Sequence, residues 1–341
     1  MKITEVVVTP PPPAPSTTPT RACPRAKTLE DLITCIKAQM PSRYSEGFVV
    51  PPEHVQSDWH SVVAQMLDGQ SDDITLPSSL STVYSVTTFT DTDNGRSYCV
   101  LMETGDIDND GVVDRGWGTF IVDREATKEL SIQIAHPKFD IGTADQGIGV
   151  FKGTSSRSFL MAGTHRYANG ASSTCQPSFL QADAAHSDET LFYVTVRELV
   201  EFYDVAVGQL PAQGSFVAIQ FHGMGSSNCP SVDVYMTYGV NSRPAPGDKL
   251  LDLQASLERH HPDWVVTVPG DSPRCGLHGS KNVPGRLLNN VAAANLCTTA
   301  ASTDSGRFIH IEQKRDCRDP NDWIATVNEV FPATASVPAG Q

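Results

Sequence analysis

The sequence predicts an α/β protein with a mixed, largely parallel sheet and helices on both faces, preceded by N-terminal helices and a small β-meander. Three observations predict it. From about Glu129 onward, short apolar runs alternate with longer amphipathic ones, the pattern of strands joined by covering helices. Before that, residues 81–123 carry period-two alternation broken by Asp/Asn/Gly turns, the pattern of antiparallel hairpins. The composition, 39% hydrophobic and 19% charged over 341 residues, is that of a chain able to bury a large core.

Each element follows in order. Residues 1–22 contain TPPPPAPSTTPT and read as a Pro/Thr-rich linker, since proline removes backbone donors and favours extended chain. Residues 23–75 form an N-terminal helical segment. TLEDLITCIKAQM places Leu29, Leu32, Ile33 and Ile36 on one helical face, with Thr28 as its cap. A second helix is expected from Trp59 to Leu67. Residues 76–127 form the β-meander, STVYSVTTFTD and RSYCVLMETGD around DTDNG, then an acidic turn leading to WGTFIVD. Residues 128–332 form the main α/β domain. Its strands are ELSIQIAH, RSFLMAGT, SFVAIQFHG, VDVYMTYG, WVVTVPG and GRFIHIEQ, and its helices are DETLFYVTVRELVEFYDVA, KLLDLQASLERHH and a last one near Asn321–Val330. LHGSKNVPGRLLN reads as a covering loop, and residues 333–341 as a tail.

No apolar run approaches the roughly 20 residues that span a bilayer. The net charge of -14 argues against nucleic acid and anionic membranes as partners. Eight cysteines, none in a C-x-x-C pair, suit disulfides in an oxidising compartment better than a zinc ribbon. Four pairs are expected, with Cys23–Cys35 and Cys275–Cys297 suggested by proximity. MKITEVVVTP lacks a signal peptide's apolar run, so a secreted or periplasmic protein with this start would have had its signal removed.

In parallel sheets, functional residues gather at the carboxyl ends of strands. His136 directly follows LSIQIA, with Asp140 four residues on. His222 directly follows FVAIQF. His310 and Glu312 lie two apart on one strand, and so on one face. Two strand-end histidines with nearby carboxylates make an N/O zinc site, which typically has three protein ligands and an open position. Each residue also has an ordinary structural reading: Asp140 as the cap of a helix starting near Thr143, Glu312 as an ion-pair partner of Arg315, and each histidine as a hydrogen-bonded strand end.

The order His136-x-x-x-Asp140, then His222 in QFHGM, then Glu312 in FIHIEQKRD resembles the zinc carboxypeptidase superfamily. That group includes metallocarboxypeptidases, succinylglutamate desuccinylase, aspartoacylase and N-formylglutamate amidohydrolase. The resemblance spans roughly residues 128–320. It implies Zn2+ held by His136, Asp140 and His222, and Glu312 as the general base. It also implies an arginine that holds a substrate carboxylate, for which Arg166 in AGTHRYAN is the candidate with Asn169 assisting. His186 and Arg286 are further substrate-binding candidates, with Lys281 beside the latter. One departure stands out: the family pair is usually His-x-x-Glu, and here it is His-x-x-x-Asp. Asp145 and His186 are the alternatives to Asp140. The implied activity is hydrolysis of an amide bond next to a carboxylate, in a small molecule or peptide. The substrate and the oligomeric state are left open.

A second motif is Asp106-x-Asp108-x-Asp110-Gly111-x-x-Asp114. Carboxylates so spaced around a glycine turn can wrap Ca2+, although strands flank it and Trp117 occupies the position of an EF-hand's last ligand. The ordinary reading is an acidic hairpin turn. The alternative to an enzyme is therefore a non-catalytic, calcium-stabilised secreted binding module.

Overall fold

The computed structural model describes residues 23–70, 73–207 and 216–333. The expected linker over 1–22 and the tail beyond 333 lie outside the described residues.

The helices are α1 (Leu29–Ala38), α2 (Glu53–Leu67), α3 (Thr143–Thr154), α4 (Leu191–Val207), α5 (Lys249–His260), α6 (Val283–Leu288) and α7 (Pro320–Val330). The strands are β1 (Tyr84–Thr90), β2 (Ser97–Glu103), β3 (Thr119–Asp123), β4 (Lys128–Ile134), β5 (Ser156–Met161), β6 (Val217–Gly223), β7 (Val234–Thr237), β8 (Val266–Thr267) and β9 (Phe308–Gln313). They form one sheet in the order β1-β2-β3-β5-β4-β6-β9-β7-β8. The four central strands, β5-β4-β6-β9, are parallel. β1, β2 and β3 pair antiparallel and join the sheet through β5, so the meander is one flank of the main sheet. At the other flank β7 runs antiparallel to β9 and parallel to β8.

Helices cover both faces, and alternation along the strands decides what each face meets. Ile132 and Ile134, Ile219 and Phe221, and Ile309 and Ile311 turn to one face, where they pack with α1, α3, α5 and α7. The opposite face is covered mainly by α2 and α4, through Trp59, Val62, Leu191 and Leu199. On that second face the central strands carry Ser131 and Gln133, Gln220 and His222, and His310 and Glu312. Register places Gln133 beside Gln220, Gln220 beside His310, and His222 beside Glu312. A buried polar stripe thus crosses three parallel strands toward their carboxyl ends.

Local chemistry explains the element ends. Thr28 caps α1, its hydroxyl accepting from the Asp31 N–H at 3.1 Å. α2 begins at Glu53, a turn and a half before the expected Trp59, after Pro51-Pro52. The expected covering loop contains α6, capped by Asn282, whose side chain accepts from the Gly285 N–H at 2.8 Å.

The disulfides differ from expectation. Cys23–Cys35 forms, but Cys275 bonds Cys229 and Cys297 bonds Cys175. Chain proximity misleads here, because α6 and the following segment return to α4 and carry Cys297 to the loop before it. Cys99 and Cys317 are buried and not disulfide-bonded, so there are three bridges rather than four.

Candidate metal centre

His136 lies two residues beyond β4. The chain then makes one helical turn, with the Asp140 N–H donating to the His136 carbonyl at 2.9 Å. A helical turn brings residues i and i+4 onto one face, so the four-residue step suits the shorter aspartate. The Asp140 carbonyl meanwhile accepts from Thr143 N–H and Oγ1 at the start of α3. Asp140 therefore serves the helix through its backbone and the centre through its carboxylate.

Three atoms converge. His136 Nδ1 is 3.2 Å from Asp140 Oδ2, His222 Nδ1 is 3.4 Å from the same oxygen, and the two Nδ1 atoms are 3.3 Å apart. Ligands placed tetrahedrally at zinc's usual 2.0–2.1 Å are separated by about 3.3 Å. All three residues are buried.

The hydrogen-bond chain behind them fixes which nitrogen carries a proton. The Gly285 N–H can only donate, so Asn282 Oδ1 accepts and Asn282 Nδ2 donates, to Gln220 Oε1 at 2.5 Å. Gln220 Nε2 donates to Gln133 Oε1 at 3.1 Å. Gln220 Oε1 is therefore the acceptor for His222 Nε2–H at 2.7 Å. On the other side, His136 Nε2 faces Asp183 Oδ1 at 2.9 Å, which can only accept while ionised. Both Nδ1 atoms are left facing each other and a carboxylate, an arrangement satisfied by positive charge at its centre, whether a proton on His136 Nδ1 or a metal ion. Carboxylate or amide partners on the outer ring nitrogens are also how ligating histidines are held.

The electrostatics agree. Burial and Arg166 press His136 toward neutrality, but Asp183 and Asp140 outweigh them and raise its pKa. Burial lowers the pKa of His222. Burial opposes ionisation of Asp140, yet the two histidines hold its carboxyl far below the ordinary range. Asp183 is likewise held low against burial, chiefly by His136.

The triangle opens onto a cavity of about 360 Å3, also lined by Phe139, Arg166, His186, Lys281, His310 and Glu312. Glu312 has a carboxylate oxygen within 4.8 Å of a His222 ring nitrogen. Burial, reinforced by Asp140, pushes its pKa up to about 8. It forms no ion pair with Arg315. His310 is buried, its Nδ1 lacks a hydrogen-bond partner, and burial drives its pKa well down.

The remaining candidates separate. Arg166 lines the cavity, pairs through Nη2 with Asp183, and stacks over Phe139 with 5.2 Å to the ring centroid. His186 also lines it, stacked on Phe179 at 3.5 Å and lowered to about 3 by burial. His186 is not one of the three converging donors. Asn169 does not line the cavity: its amide donates to Gln181 Oε1 and accepts from the Ala182 N–H. Arg286 is also away from it, donating to the Ser280 and Leu296 carbonyls and so bracing the loop that carries Lys281. Asp145 pairs with Lys37 of α1 at 2.7 Å, which removes it as an alternative ligand.

In the acidic turn, oxygens of Asp106, Asp108 and Asp110 lie within 4.8 Å of one another, with Asp114 outside the group. These carboxylates accept turn N–H groups, Asp106 from Asp110 and Gly111, Asp110 from Val112, and Asp114 from Ile107. Such bonds belong to an Asx-rich turn with or without an ion.

Sequence reading missed Asp183, Gln220, Gln133 and Asn282. The two glutamines were visible as polar residues interrupting apolar strands on the face of His222. Asp183 and Asn282 lie in irregular segments with no periodic signal.

No protein-family model matches the chain, and no curated protein matches it in sequence. Among solved structures it is similar to a gene product of Agrobacterium tumefaciens, with 10% identity over 60% of this chain and 88% of that one at a TM-score of 0.36. It is similar also to a provisionally assigned carboxypeptidase A from Shewanella denitrificans, with 13% identity, 83% and 70% coverage and a TM-score of 0.32. A provisionally assigned carboxypeptidase from Burkholderia mallei gives 12% identity, 78% and 65% coverage and a TM-score of 0.32. Likenesses this distant carry no weight for the chemistry, which rests on the geometry above.

Proposed function

We propose that this chain is an exported zinc-dependent hydrolase that cleaves an amide bond beside a carboxylate, of the carboxypeptidase or N-acyl amino acid amidohydrolase type. The observation that carries it is the buried triangle of His136 Nδ1, Asp140 Oδ2 and His222 Nδ1, with edges of 3.2–3.4 Å and no proton donor assigned among them by the surrounding bonds. Two imidazoles and a carboxylate are the donor set of hydrolytic zinc. Zinc there supplies Lewis acidity, polarising a carbonyl and acidifying water.

The chain's own residues do the rest. Asp183 and Gln220 hold the two imidazoles in the Nε2–H form that points Nδ1 inward. Glu312 takes the proton from the attacking water and delivers it to the leaving amine. Arg166 spends one nitrogen on Asp183 and retains other N–H donors for a substrate carboxylate. Export is supported by three disulfides, and no helix among the described residues is long and apolar enough to cross a membrane. A calcium-stabilised binding module would account for the Asp106–Asp110 turn but leaves the buried donor triangle unexplained.

Metal analysis of the purified protein, with hydrolysis of N-acyl amino acids and short peptides, tests the reading. Roughly one zinc per chain is expected, lost in His222→Ala. Glu312→Gln should keep the metal and lose about 10²–10⁴-fold in kcat. A zinc-free protein that His222→Ala leaves unchanged would sink the centre. Full activity in Glu312→Gln would remove Glu312 from the mechanism.

A further inference from the structure

We propose that a second, basic cavity beside the first binds an acidic side group of the substrate through Arg243 and Arg274. This rests on reading the first cavity as the hydrolytic site.

The second cavity has a volume of about 430 Å3, and Gly276 and His278 line both chambers. Its place follows from the sheet. β7 pairs with β9 so that Tyr235 lies opposite Glu312. Directly opposed residues share a face, one strand spacing of about 4.8 Å apart. Tyr235 lines the second chamber as Glu312 lines the first. The two chambers therefore lie side by side on one face of the sheet, one strand apart.

The positive charge in this chamber is only partly spent. Asp271 is the acidic residue in its wall. Its Oδ2 accepts from Gln254 Nε2 at 3.0 Å and from the Val268 N–H at 3.1 Å. Arg243 Nη2 stands 3.9 Å from Asp271 Oδ1, with its side chain 72% exposed. Arg274 makes no hydrogen bond or ion pair with any described residue. The wall thus carries two guanidinium groups against one carboxylate, which also accepts from Gln254 and the Val268 N–H, in a chain with a net charge of -14. Planar N–H forks of this kind match carboxylates.

The wall is also built. Cys275 is tied to Cys229, and Gly270 adopts φ +97, with the Arg243 stem 3.1 Å from where its Cβ would stand. His278 has Nδ1 2.6 Å from the Tyr235 hydroxyl and its carbonyl accepts from Thr237 Oγ1. In the tautomer where the tyrosine donates to Nδ1, His278 Nε2–H is left to donate to a ligand passing between the chambers.

Calorimetric titration of the zinc-loaded full chain tests this with N-acetyl-L-glutamate and N-acetyl-L-glutamine, which differ in the charge of the side group. The glutamate should bind about tenfold tighter or more. The double variant Arg243→Gln/Arg274→Gln should narrow that ratio to within about twofold, with zinc content and glutamine affinity unchanged. Both arginines are exposed, so the fold tolerates the change. Equal affinities in the wild type, no binding of either probe, or an unchanged ratio in the double variant overturns the proposal. Turnover is read separately: a protein that hydrolyses nothing yet keeps the discrimination refutes the hydrolase and upholds the subsite.

Discussion

At the residue scale, the proposed centre depends on groups outside the triangle of His136, Asp140 and His222. Asp183 accepts from His136 Nε2 and also pairs with Arg166. Removing its charge should loosen the His136 ring and weaken metal binding without removing a ligand. Outer partners of this kind are worth about 10–100-fold in metal affinity. Asp183→Asn should therefore lose zinc to a competing chelator at about 10–100-fold lower chelator strength than the wild type. An unchanged affinity would show that the ring is held by packing alone.

At the element scale, a buried charge ties three pieces of the N-terminal half together. Asp91, in the turn after β1, accepts from the Leu29 N–H of α1 at 2.8 Å, from the Asp93 N–H at 2.8 Å, and from Lys152 Nζ of α3 at 3.2 Å. Burial alone would raise its pKa, but these donors outweigh it and lower the pKa below 3.8. A depressed carboxylate pKa contributes stability above the unfolded value, and that contribution is lost as pH falls through the folded one. Asp91→Asn should cost about 1–3 kcal/mol near pH 7. The deficit should shrink as pH falls from the ordinary carboxylate range through the lower folded value, where the wild-type residue itself takes up a proton. Urea unfolding at neutral and acid pH measures both; an equal deficit at the two would refute the electrostatic account.

At the scale of the whole molecule, the bridges set what thiol chemistry will find. Eight cysteines make three disulfides and leave Cys99 and Cys317 buried. Native protein should resist alkylation. Unfolded without reductant it should take up two labels, and after reduction eight. More than two labels in the unreduced sample, counted by mass spectrometry, would mean that a bridge is missing. Cys175–Cys297 closes the longest loop, with a sequence separation of 122. In the loop-entropy account its removal should cost the most, about 4–5 kcal/mol.

Much of this architecture is local, and so was legible in the chain. Alternation of side chains marks Ile219 and Phe221 as one face of β6 and Gln220 and His222 as the other. Helical spacing marks the buried face of α1, and Thr28 marks its start. The strand-end positions of His136 and His222, and the same-face pair His310 and Glu312, follow from periodicity alone. The tertiary structure decided what periodicity cannot carry. It placed Asp183 and Asn282, 47 and 60 residues from the histidines they support, behind those rings. It sent Arg286 and Asn169 into structural bonds away from the cavity, and it paired Cys275 with Cys229 across 46 residues. The cause in each case is the same: spacing fixes the side of an element on which a residue lies, while the partner it meets there is set by sheet order and loop path, which depend on contacts distant in the chain.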